Sequence, residues 1–70
     1  YRKFGEKIYT ARRKRNITQE KLSILTGIDR TYISQIEHGH RNPSFRVLAK
    51  LAQELRININ ELIPKKNFSK

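Results

Sequence analysis

Apolar residues recur along this chain at intervals of three and four, and Gly, Asn or Pro stands where each recurrence breaks off. Phe4, Ile8 and Ala11 form one stripe on an otherwise basic segment, which predicts a first helix over about residues 3–15. Asn16 ends it, since Asn tolerates the left-handed backbone wanted just past a helix, and Ile17 turns back to the core. Thr18 is an N-cap for a second helix with Leu22 and Leu25 inward. Lys21 stands where a full capping box would carry Glu or Gln, so the cap is a simple one. Gly27 falls where the chain leaves one helix for another at a steep angle, and glycine takes a positive φ there at little steric cost. Asp29 caps a third helix, Ile28 staples its start, Ile33 and Ile36 turn inward, and Gly39 closes it. After a polar, basic loop from His40 to Pro43, Ser44 caps a fourth helix with Phe45, Leu48, Leu51, Ala52 and Leu55 at periodic positions. Asn58 with Glu61 resembles a capping box for a short fifth helix over residues 59–63, stopped by Pro64. The expected fold is all-α: a compact bundle of five short helices forming one domain over residues 1–64, with residues 65–70 as a basic tail.

Seventy residues allow only a small core, because little of so short a chain can leave water. Cysteine is absent, so packing alone must hold the bundle, without disulfides or a Cys-based zinc site. No run of 18 apolar residues and no signal-peptide pattern occurs, so a soluble intracellular protein is expected, one that begins on Tyr1 after trimming or processing. Sixteen Lys and Arg against six Asp and Glu give a formal charge of +10, which calls for a polyanionic partner. Charge alone leaves nucleic acid, membranes and acidic proteins open, and its placement must choose among them.

That placement favours double-stranded DNA. With Ile33 and Ile36 turned inward, the third helix shows Arg30, Thr31, Tyr32, Ser34 and Gln35. Arg can pair with O6 and N7 of guanine, Gln with N6 and N7 of adenine, and Thr or Tyr can touch a thymine methyl. Arg30, Thr31 and Gln35 are therefore assigned to bases, and Tyr32 to a mixed base and sugar-phosphate role. Thr18 and Gln19 open the second helix, where free N–H groups and the positive dipole end suit a phosphate. Ser34 and the following His38, His40, Arg41 and Asn42 are assigned to the phosphate strand, contacts that position without specifying sequence. Two His with no Cys and no second His pair make no metal shell, and no metal or cofactor is expected. Arg12 sits four residues after Ile8, beside the apolar stripe, and needs a carboxylate. Glu37 opposes both helix dipole and DNA phosphate and needs a cation. An Arg12–Glu37 ion pair answers both needs.

The stretch TQEKLSILTGIDRTYISQIEHG, Thr18 to Gly39, resembles the helix-turn-helix of the Cro/CI-type (XRE-type) bacterial and phage transcriptional regulators. Similarity extends from Phe4 to Ile63 and implies a lambda repressor-like DNA-binding domain. It also implies that Gln19 touches phosphate and braces the recognition helix, and it agrees with Arg and Glu at positions 12 and 37. Arg30-Thr31-Tyr32-Ile33-Ser34, Glu37-His38-Gly39 and Arg41-Asn42-Pro43-Ser44 look most like controller proteins of restriction-modification systems. Those are small cytoplasmic dimers that activate and repress their own promoter, with RNA polymerase as a further partner when they activate. Arg56 departs from the family, which frequently has Gly after the fourth helix.

One recognition helix reads few base pairs, so selectivity calls for a homodimer with two helices about 34 Å apart on a two-fold operator. Ile57, Ile59, Leu62 and Ile63 exceed what a short helix needs, and they either cross that interface or close the core. Other functions are weaker. Six singly spread acids make no catalytic pair for an enzyme, and the aromatics are too scattered for a single-strand or RNA platform. The chain also fits as the DNA-binding part of a longer sensor or antitoxin.

Overall fold

Side-chain caps divide the chain close to where the sequence predicts. In the computed structural model, which describes residues 2–62, the elements are α1 (Arg2–Lys14), α2 (Gln19–Thr26), α3 (Arg30–Glu37), α4 (Phe45–Leu55) and a single 3₁₀ turn, Ile59–Glu61. Thr18 Oγ1 accepts from the Lys21 N–H, an Asp29 carboxylate oxygen from Thr31, and Ser44 Oγ from Val47, each satisfying one orphan donor of a first helical turn. The helix ends are equally explicit. Asn16 takes φ 56° after α1, Gly27 φ 78° after α2 and Gly39 φ 78° after α3. The Gly27 N–H closes α2 on the Ser23 carbonyl at 2.8 Å.

Inside, Ile8, Leu22, Ile28, Ile33, Ile36, Leu48, Leu51, Ala52, Leu55 and Leu62 form one buried cluster. Burying each large aliphatic side chain contributes about 1.5–3 kcal/mol, the main favourable term in a bundle without cross-links. α3 packs on both α1 and α2, and α2 packs on α4, so the third helix is held from two sides. Gly5 makes the α1–α3 approach possible: a Cβ there would run into the Ile36 carbonyl oxygen and come within 2.6 Å of that of Glu37.

Four expectations need correction. The fifth helix is one 3₁₀ turn, in which Asn58 accepts from Asn60 rather than forming a box with Glu61. So few residues before Pro64 cannot repay the cost of nucleating an α-helix. Leu25 is 44% exposed, because the line of α2 aimed between α3 and α4 runs through Leu22 and Thr26. Thr26 is tolerated inside because its hydroxyl donates to the Leu22 carbonyl and accepts from the Ile28 N–H. Phe45 is 67% exposed. As the first residue of α4 its Cβ leans back toward the N-terminus, off the end of the core. Leu62 is fully buried within its own chain, so of its two possible roles it takes core closure and is withdrawn from any interface. Ile57 and Ile59 pack against the core but stay partly open, and Ile63 lies outside the described residues, as does the basic tail.

Candidate nucleic-acid interface

Two inward isoleucines decide what α3 shows to solvent. Ile33 and Ile36 are completely buried, which turns Arg30 and Thr31 outward at the start of the helix and leaves Tyr32, Ser34 and Gln35 half-buried along its flank. Gly27 ends α2 in the left-handed conformation three residues before α3 begins, and Asp29 occupies the Thr31 N–H, so the exposed first turn is fixed as well as exposed.

Beneath this face lies an ion pair. Arg12 Nε and one terminal nitrogen donate to the two Glu37 carboxylate oxygens at 2.7 and 2.9 Å, with the side chains only 8% and 3% exposed. The other terminal nitrogen donates to the Ile17 carbonyl at 2.8 Å. Gln19 Nε2 donates to Glu37 Oε1 at 3.0 Å. Glu37 thus ties α1, the start of α2 and the end of α3 together. Its hydrogen bond raises the Arg12 pKa against the desolvation that would lower it, so Arg12 stays charged. Among the described residues no buried side-chain polar atom lacks a partner.

The loop after α3 continues the basic surface. His38 Nδ1 donates to the Ser34 carbonyl at 2.8 Å, and Nε2 has no hydrogen-bond partner among the described residues. The His38 and His40 rings stack loosely, with centroids 6.0 Å apart and planes inclined by 29°. Among the described residues no three of His, Asp and Glu gather as metal ligands. Arg41 folds back to Gln35 and Tyr32, and Asn42 is exposed. Thr18, exposed, and Gln19, half-buried, stand at the N-terminus of α2, where Gln19 reaches Glu37. The structure therefore joins Gln19 to the bracing pair and Arg41 to the polar flank of α3. Sequence reasoning missed Gly5, although a glycine inside an apolar helical stripe is a sign of close backbone approach.

A capped helix, a left-handed glycine and a second helix with its base locked and its polar face open define a helix-turn-helix domain. The family described as "Helix-turn-helix domain" matches residues 5–67, and the chain belongs to it. Control protein C.BamHI of Bacillus amyloliquefaciens is 39% identical over 61 residues, covering 86% of this chain and 75% of that one. The crystal structure of the restriction-modification controller protein C.AhdI from Aeromonas hydrophila superposes with a TM-score of 0.84 at 39% identity, covering 89% and 94% of the two chains. The N-terminal DNA binding domain of SinR from Bacillus subtilis gives 0.87 at 25% identity, covering 96% and 99%. Among the described residues no helix is long and apolar enough to cross a membrane.

Proposed function

We infer that this chain is a sequence-specific, double-stranded DNA-binding transcriptional regulator of the controller type, acting on a pseudo-palindromic operator as a homodimer. One observation carries the reading: α3 is immobilised on its inner side by Ile33, Ile36 and the buried Arg12–Glu37 pair, while Arg30 and Thr31 remain exposed. A helix held this rigidly can present donors and acceptors to a major groove without first ordering them. Similarity to control proteins and to a DNA binding domain of known structure supports it.

In this reading Arg30, Thr31, Tyr32 and Gln35 contact bases, and Thr18, Gln19, Ser34, His38, His40, Arg41 and Asn42 contact phosphates. Residues 1–64 act as the DNA-binding domain and 65–70 as a basic tail adding to electrostatic attraction. Ile57, Ile59 and Ile63 supply the dimer contact, RNA polymerase is the partner where the protein activates, and the cytoplasm is its place of action. Selection of bound sites from a random duplex pool tests the whole proposal: two symmetric half-sites about one helical turn apart are expected. With around eight phosphates contacted per dimer, log K should fall against log salt with a slope of roughly −7. Equal affinity for selected and random duplex would sink it.

A further inference from the structure

Arg41 lies beyond α3, on the loop that follows, yet its guanidinium returns to the reading face. One terminal nitrogen donates to Gln35 Oε1 at 3.2 Å, and the guanidinium carbon stands 4.7 Å from the centroid of the Tyr32 ring. Tyr32 and Gln35, three residues apart on α3, lie on one side of the helix. One loop cation thus holds two of the four side chains assigned to bases.

The chemistry of the two groups fixes which way the Gln35 amide turns. A guanidinium carries donors and no acceptor, so it is met by the amide oxygen; the flipped amide would set N–H against N–H. Arg41 occupies one of the two lone pairs of Oε1 and places a cation beside the other, so a ligand is met foremost by Nε2, which only donates. A free glutamine presents oxygen and nitrogen together and suits adenine, whose edge gives the N6 donor and the N7 acceptor. The held glutamine suits an edge of acceptors, O6 and N7 of guanine or O4 of thymine. Stacking on Tyr32 keeps the guanidinium plane from swinging away from the amide.

We propose that Arg41 is a positioning residue for base specificity: by holding Gln35 Oε1 and stacking on Tyr32 it makes guanine or thymine, rather than adenine, the base preferred opposite Gln35. The remaining guanidinium N–H groups stay available to a phosphate, so the two roles coexist. This rests on the reading that α3 lies in the major groove.

Site selection from a random duplex pool, run in parallel on the wild type, Gln35→Ala, Arg41→Ala and Arg41→Lys, tests it. The position whose preference disappears in Gln35→Ala marks the base opposite Gln35. There the wild type should select guanine or thymine. Arg41→Ala and Arg41→Lys should both lose roughly fivefold or more of that preference, or move it to adenine, while other positions keep theirs. Lysine is the decisive variant, because it retains the charge for a phosphate but has no planar fork to orient an amide. Adenine selected by the wild type, no position moved by Gln35→Ala, a uniform loss in Arg41→Ala, or an Arg41→Lys protein with unchanged preference each overturns the proposal. Those results leave operator recognition standing, whereas a wild type that selects no sequence removes both.

Discussion

Removing one partner of the Arg12–Glu37 pair should cost more than removing both. Glu37→Met strands the Arg12 guanidinium with only the Ile17 carbonyl and the Tyr9 ring beside it, and Arg12→Met leaves a buried carboxylate with only the Gln19 amide. Breaking a pair this enclosed from one side costs about 3–5 kcal/mol, because the remaining charge has lost both water and its counter-ion. At 0.05–0.15 kcal/mol per residue the whole domain is stable by roughly 4–10 kcal/mol, so either single variant stands near unfolding. In the double variant no charge is left in the gap and two flexible thioethers can fill it, an exchange that runs from neutral to stabilising. Urea unfolding followed by circular dichroism should place the double variant about 2 kcal/mol or more above either single one. A raised pKa for a cation means that its stabilisation is complete below the unfolded value and is lost only as pH rises through the folded one. For Arg12 that window is strongly alkaline, so its contribution should not vary through the neutral range. Additive losses, with the double variant least stable of all, would refute the buried pair.

Three further outcomes follow from particular contacts. Gly5→Ala sets a methyl against the Ile36 and Glu37 carbonyls and must push α1 off α3; a loss of about 1–3 kcal/mol in thermal unfolding is expected, and an unchanged midpoint would contradict the close approach. Arg56 caps α4 at φ 57°, a backbone region that costs a side-chain-bearing residue about 1–2 kcal/mol. Arg56→Gly should recover roughly 0.5–1 kcal/mol after the greater entropy of the unfolded glycine chain is subtracted, and a destabilised variant would argue against the strain. Arg30→Ala should lower affinity for the selected site by about 1–3 kcal/mol and relax preference at one base position, whereas an even loss over all sequences would make Arg30 a phosphate contact.

Much of the fold was legible because its decisive interactions are local. Thr18, Asp29 and Ser44 each cap an N–H two or three residues away, and Asn16, Gly27 and Gly39 take the left-handed turns that their residue types favour. The Arg12–Glu37 pair spans 25 residues and was still readable, since each side chain stood where its charge was costly alone. Leu25 and Phe45 were misplaced for the opposite reason. Helical periodicity states which residues share a face but not how wide the facing partner is, nor where the core ends along the helix axis.

The sequence by itself determined an all-helical domain, the caps and turns that delimit its helices and the polar side chains that α3 turns outward, because caps, turns and apolar period act over a few residues. Arg56 shows where that reach stops: the departure from Gly was visible, but only the structure shows the arginine taking the left-handed conformation itself. Tertiary structure alone decided that Thr26 rather than Leu25 faces inward, that Gly5 lets two backbones touch, and that Leu62 closes its own core. It also decided that Arg41 reaches back to Gln35 and Tyr32. Each depends on how closely and at what angle helices and loops approach one another, a property of the packed bundle that no short window of residues contains.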